Sequence, residues 1–254
     1  MRVRILGKSP AWPDRGGACS GYLITEGEFS LLLDCGSGVL GKLRAVRDYL
    51  DLDAILVSHL HADHILDLIP FSHALLLTAR ASNPRKRVPL YAPPDGREMF
   101  RRLSGCWHDD QLIEKAFAVT EYDPDGAPFI GPFAVRFREV QHYTRTFACE
   151  LRTEKGSRFT FGADCGPDEA LDQFAAGTDL LMVEATLVDA GSDDERRGHM
   201  TPREAGETAR RAGARRLVVT HFSDELDPEW VRSEATQGYG AAADLAHDGA
   251  EYTL

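Results

Sequence analysis

Within seven consecutive residues, Ser58-His59-Leu60-His61-Ala62-Asp63-His64, the chain places three imidazoles and a carboxylate directly after the apolar run Ala54-Ile55-Leu56-Val57. Imidazole nitrogens and carboxylate oxygens are the donors that zinc, manganese and iron accept. A lone histidine beside a core strand is ordinarily a core residue with one hydrogen-bond partner. Four titratable groups in one loop beside a buried strand have no such explanation, because each is costly to desolvate unless it is paired or binds a cation. The spacing points to a metal centre. A divalent ion held by such donors can acidify a bound water and draw charge from a substrate oxygen.

An HxHxDH run after an apolar strand resembles the signature of the metallo-β-lactamase superfamily, and the likeness spans most of the chain. Leu33-Asp34-Cys35-Gly36 resembles the strand ending ahead of the motif, and Gln141-His142-Tyr143 supplies the third-histidine position. Phe161-Gly162-Ala163-Asp164 supplies the bridging aspartate, and Val219-Thr220-His221-Phe222-Ser223 the last histidine. Taken singly, His142, Asp164 and His221 also read as a strand-end histidine, a turn aspartate and a core histidine. Their shared order and strand-end positions set them apart. The resemblance implies that His59, His61 and His142 hold one divalent ion, that Asp63, His64 and His221 hold another, and that Asp164 bridges them. Zinc is the first expectation for both ions, with manganese or iron as alternatives. His61 stands where the flavodiiron branch has glutamate, and Asp164 where the antibiotic-cleaving zinc β-lactamases have cysteine. Cys165 is expected beside the centre, outside the ligand set.

Gly198-His199-Met200-Thr201 and Glu184-Ala185-Thr186 resemble two segments of the ribonuclease Z-like branch, whose histidine supports a phosphorane-like transition state. By this resemblance His199 is a catalytic acid, Glu184 orients it, and Asp63 also orients the nucleophile. Thr201 before Pro202, with Glu204 three residues on, reads in addition as a helix capping box.

Such side chains need strand ends to carry them. Segments 2–6, 20–25, 29–34 and 54–58 read as strands, the last nearly all apolar and therefore covered on both faces. Segments 39–49, 65–78 and 95–103 read as helices, and Val88–Ala92 as a strand. A second series of strands follows at Phe133–Val140, 147–153 and 158–162, then helix 168–175, strand Leu180–Glu184, helix Pro202–Ala212 and strand Leu217–Thr220. The stretch 104–132 is the least legible. Two successive sheets with helices outside predict an α/β protein, a four-layer αββα sandwich, formed as a single domain over 1–254.

Composition limits the partners. The formal net charge is −11, from 40 acidic against 29 basic residues, so long-range attraction for extended nucleic acid is weak. The densest basic run is Arg85-Lys86-Arg87, with Arg101-Arg102, Arg196-Arg197 and Arg215-Arg216 as pairs. No uncharged apolar stretch is long enough to span a membrane, and residues after Met1 do not resemble a signal peptide, so the cytoplasm is the expected compartment. Five cysteines, an odd number without a CxxC pair, suit reduced core residues. His73, His108 and His247 read as structural or exposed.

The expected activity is hydrolysis of small phosphodiesters such as cyclic nucleotides. In tRNA-processing members a long arm that grips tRNA lies between the third histidine and the bridging aspartate. Here only 21 residues separate His142 from Asp164, and two strands consume most of them. The alternatives are an ester, lactone or thioester hydrolase on the same centre, a non-catalytic or oxidoreductase relative that keeps the scaffold, and ribonuclease Z-like tRNA 3' processing, for which a homodimer would have to supply the missing basic surface.

Overall fold

A computed structural model describes residues 1–78, 87–191 and 197–254. Among the described residues two seven-stranded sheets pack face to face. The first contains β1 (Arg2–Gly7), β2 (Gly21–Glu26), β3 (Phe29–Leu33), β4 (Ala54–Leu56), β5 (Val88–Ala92) and β6 (Phe117–Glu121). The second contains β7 (Phe129–Ile130), β8 (Phe133–Val140), β9 (Thr146–Arg152), β10 (Arg158–Phe161), β11 (Leu180–Glu184), β12 (Leu217–Thr220) and β13 (Asp244–Leu245). The last strand, β14 (Glu251–Thr253), returns to the first sheet and pairs antiparallel with β1. On the outer faces lie α1 (Val39–Val46), α2 (Ala62–Ile65), α3 (Leu68–Leu77), α4 (Gly96–Gly105) and α5 (Leu112–Ala116) against one sheet. Those on the other are α6 (Glu169–Phe174), α7 (Pro202–Ala212) and α8 (Pro228–Tyr239).

Strand periodicity explains the layering, since successive side chains point to opposite faces. In β3, Leu31 and Leu33 enter the layer between the sheets with Phe133, Phe147 and Phe159, while Leu32 enters the layer under the first helices with Val39 and Phe71. In β11, Leu180 and Met182 face inward, whereas Leu181 and Val183 meet Ala205 and Ala209 beneath α7. Three apolar layers separate four layers of secondary structure, which is the expected αββα sandwich.

Several boundaries differ from expectation. The helix expected over 39–49 stops at Val46, because Arg47 is extended and the Asp48 carboxylate accepts from the Leu50 amide to start a separate short turn. The helix expected over 65–78 is two helices, α2 and α3, with Asp67 at the joint; its carboxylate accepts from the Leu40 amide at 2.8 Å and ties the joint to α1. The poorly legible stretch 104–132 holds α5, β6 and β7. Four cysteines are buried as expected, but Cys106 is exposed. His73, His108 and His247 are exposed. No helix of the described residues is long and apolar enough to cross a membrane. Arg85, Lys86 and Arg196 lie outside the described residues.

Candidate metal centre

Strands β3 and β4 run parallel, as do β10, β11 and β12, and β8 points the same way as β10 because both are antiparallel to β9. Their carboxyl ends open on one edge, the usual place for a ligand crevice in parallel sheets. Asp34 follows β3, Ser58 to His64 follow β4, His142 follows β8, Asp164 follows β10, Glu184 ends β11 and His221 follows β12. Asp34, Ala163 and His221 hold φ values of 59°, 55° and 50°, a left-handed conformation that costs an L-residue about 1 kcal/mol or more. Packing must therefore enforce these turns. One contact that does so is the Tyr22 hydroxyl, 2.9 Å from Thr220 Oγ1, which links the two sheets just before His221. Gly36 permits another: a Cβ there would stand 1.8 Å from the Asp63 carbonyl oxygen, so only glycine lets the loop after β3 approach α2 this closely.

The donor atoms fall into two groups. His59 Nε2 lies 3.2 Å and His142 Nε2 3.0 Å from His61 Nδ1. In the second group His64 Nε2 is 3.3 Å from Asp63 Oδ2, and His221 Nε2 is 3.1 Å from the same oxygen. Asp164 belongs to both. Its Oδ2 is 3.2 Å from His64 Nε2, 3.2 Å from His221 Nε2 and 3.8 Å from His59 Nε2. All seven residues expected as ligands are thus brought together, in the two sets that the resemblance implied.

Hydrogen bonds on the far side of the rings decide which nitrogens face inward. His64 Nδ1 donates to Asp34 Oδ2 at 2.7 Å, and His142 Nδ1 donates to the Gly198 carbonyl at 2.6 Å. Ser58 Oγ donates to Asp34 and so accepts from His59 Nδ1 at 3.1 Å. Thr186 Oγ1 donates to Glu184 at 2.7 Å and so accepts from His221 Nδ1 at 2.9 Å. Four histidines therefore commit Nδ1 to an outer partner and turn Nε2 into the donor groups, toward one another and toward carboxylate oxygens. Nitrogens and carboxylate oxygens this close need a cation or protons among them, and such outer partners are the usual supports of metal-bound imidazole. Asp164 Oδ1 adds a second sign of fit, being buried without a hydrogen-bond partner among the described residues. Nitrogen and carboxylate donors of this kind suit divalent zinc, manganese or iron.

Electrostatics run in the same direction. Burial and the neighbouring His64 charge push His59 well below the ordinary histidine range, and burial lowers His142 to about 4 even though Asp164 opposes it. Both are neutral at pH 7, the form that binds metal. Burial alone would raise Asp164, but the surrounding charge of His221 and His64 holds it well below the usual carboxylate range.

Asp34 is the residue to which the sequence assigned no role. It holds the Ser58 amide at 2.8 Å, the Ser58 hydroxyl and the His64 ring, and so braces one histidine of each donor group. Its visible signal is a carboxylate at the end of an otherwise apolar strand. Replacing it with asparagine, Asp34→Asn, should weaken metal affinity by about 10- to 100-fold at unchanged fold, read by chelator competition. An unchanged affinity would deny Asp34 this role.

His199 sits beside both groups. Its Nδ1 is 2.7 Å from Glu184 Oε1, its ring stacks on His221 at 5.8 Å between centroids, and it meets His142 edge-on at 4.9 Å. Burial works against its charge, but the hydrogen bond and charge of Glu184 raise its pKa above the ordinary histidine value. Glu184, His199 and His221 could also be grouped as donors. The Glu184 oxygens are already committed to His199, the Cys165 amide and both the amide and hydroxyl of Thr186, so this carboxylate is a hydrogen-bond hub. Cys165 packs into the core beneath α6 and α7, outside both donor groups. Thr201 and Glu204 form the expected capping box on α7.

A protein-family model for the beta-lactamase superfamily domain matches residues 30–222. The chain belongs to this superfamily. It is 31% identical to the probable metallo-hydrolase YhfI of Bacillus subtilis over 249 residues, covering 98% of each chain. The crystal structure of YhfI, a metallo-beta-lactamase fold protein, superposes with a TM-score of 0.88 at 29% identity, over 99% of this chain and 98% of that one. Ribonuclease Z of Myxococcus xanthus is 28% identical over a 302-residue alignment covering 98% of this chain and 96% of the relative. Human tRNase Z, short form, shares the fold, with a TM-score of 0.75 at 24% identity over 100% and 99% of the two chains.

Proposed function

We propose that this protein is a metal-dependent phosphodiesterase acting on small phosphodiesters, cyclic nucleotides among them. His59, His61, His142 and Asp164 would hold one divalent ion, and Asp63, His64, His221 and Asp164 a second. Bound there, the ions supply an activated water and neutralise charge on the phosphoryl oxygens. Asp63, whose carboxyl burial would raise but hydrogen bonds from His221 and His64 hold well below the usual range, stays ionised and can orient the attacking water. The observation that carries the reading is the Glu184–His199 pair beside both donor groups. With Nδ1 committed to Glu184, Nε2 is the atom that hands a proton to the departing oxygen. Ester or lactone cleavage on the same centre remains the competing chemistry.

Substrate size follows from what the chain lacks. The segment from His142 to Asp164 is consumed by β9 and β10 with a short turn between them, which leaves no length for a projecting arm. The alignment with the Myxococcus ribonuclease Z is longer than this whole chain, so that relative carries residues with no counterpart here. Several basic side chains are also committed to acids: Arg101 to Glu114 at 2.6 Å, Arg197 to Glu204 at 2.5 Å and Arg215 to Asp179 at 2.8 Å. A polyanion would have to compete with those pairs.

The test is a panel at matched metal and about 0.15 M salt, where charges beyond about 8 Å are screened. Bis(p-nitrophenyl) phosphate, 2',3'- and 3',5'-cyclic nucleotides, a lactone and precursor tRNA are compared by kcat/KM. A small phosphodiester should give the largest constant. A larger constant for the lactone would move the reading to acyl chemistry, and one for precursor tRNA would overturn the size assignment.

A further inference from the structure

The loop after β8 carries a side chain that the proposed chemistry does not yet use. Tyr143 is 68% exposed, yet it is pinned in place. Its ring lies against the backbone of Gly198, where an added Cβ would stand 2.7 Å from the ring carbons, so the absence of a side chain at 198 is what lets the ring settle there. The same ring is 5.2 Å from the His142 ring and 5.6 Å from the His199 ring, between centroids. Together with Gln141, His142, Arg145 and Asp168 it lines an open cleft of about 480 Å³, within the size range of small-molecule sites. The other exposed aromatics, Trp12, Trp107 and Phe129, make no ring contact with a candidate site residue among the described residues.

A large flat side chain fixed on one face and open on the other loses little freedom when a second ring stacks on it. The partner it best suits is another aromatic plane, since offset or edge-on ring pairs gain energy beyond simple burial. Position then decides which part of the substrate meets it. His199 is assigned to the departing oxygen, and the Tyr143 ring adjoins His199.

We infer that Tyr143 is a specificity-determining residue, the stacking platform for the nucleobase or aryl ring carried on the leaving-group side of the phosphodiester. This rests on the phosphodiesterase reading and narrows it: substrates with an aromatic group next to the scissile bond are favoured over purely alkyl ones. Tyr143 acts by positioning, and its phenol takes no part in the bond changes.

Binding separates this from a structural role. Adenosine 5'-monophosphate and ribose 5-phosphate are titrated calorimetrically into the metal-loaded wild type, Tyr143→Phe and Tyr143→Ala, with metal content and melting temperature checked for each. The base should give the wild type about 10-fold or greater preference for the nucleotide, as expected for one base stacked on an aromatic side chain. Tyr143→Phe should keep that preference, and Tyr143→Ala should lose it while binding ribose 5-phosphate as before. A preference that survives in the alanine variant, or vanishes in the phenylalanine variant, overturns the stacking assignment. If the wild type turns over bis(p-nitrophenyl) phosphate but shows no preference for the base, this inference alone falls. If it turns over no phosphodiester, the underlying reading falls and takes the inference with it.

Discussion

His199→Ala should retain both proposed metal ions and the fold and lower the proposed phosphodiesterase kcat by about 100-fold or more, the range for losing a positioned acid or a donor to developing charge. Metal retention is expected because the ring is not needed in either donor group: His59, His61 and His142 with Asp164 make one, and Asp63, His64 and His221 with Asp164 the other. The measurement is turnover beside metal analysis of the same preparation. An unchanged kcat, or a loss of metal, would show that His199 does something else. The pH profile gives a second reading. Glu184 raises the His199 pKa against the opposing effect of burial, so the protonated acid persists above the ordinary histidine value near 6.5 and is lost as pH rises through the raised one. Stability from this pair has the same sign, present in full below about pH 6.5 and lost as pH rises through the folded pKa. Glu184→Gln removes the charge, so the alkaline fall in kcat should move to lower pH.

How much of this was legible depended on how local each signal is. The run from His59 to His64 declares itself because its donors are adjacent in sequence. His142, Asp164 and His221 were legible through their order and their places at strand ends, which only a known pattern makes meaningful. The supports of His64 and His221 were not legible. Thr186 reaches His221 across 35 positions, and Asp34 reaches His64 across 30, through contacts that exist only once the strands lie side by side. The same distinction holds in the fold. Strands β13 and β14 are two and three residues long, too short to show periodicity, and β14 pairs with β1 at the opposite end of the chain. Helix α8 did carry a local signal, Asp227 capping with Pro228 in the first turn. Its buried face is Val231, Ala235 and Gly238, however, so it offers little apolar pattern. Gly238 and Gly206 instead let α7 and α8 approach until a Cβ at either would stand 2.1 Å from backbone of the other helix.

The other large effect concerns Asp164. Asp164→Asn conserves volume but removes the one carboxylate shared by the two donor groups, and it should cost at least one of the two proposed ions and lower turnover by several orders of magnitude. The neutral amide also presents an N–H₂ group toward imidazole nitrogens, a poor substitute for an anion facing cations. Chelation of the wild type tests the same feature without a mutation. Ions that bind the folded chain and not the unfolded one stabilise it by about 2.7 kcal/mol at 100 times Kd, so stripping them should lower the melting temperature by about 5 to 10 °C for a chain of this size. The physical cause is the donor set itself: His59, His64, His221, Asp63 and Asp164 are buried together, and a bound cation offsets the cost of desolvating them. Returning zinc, manganese or ferrous iron should restore the melting temperature, and the ion that restores turnover most fully identifies the working metal. Asp164→Asn should melt near the chelated wild type and gain little from added metal. If it instead bound two ions and recovered its stability, the shared role would belong to another residue, and Cys165, buried next in sequence, is the first whose removal should then be tested by metal analysis.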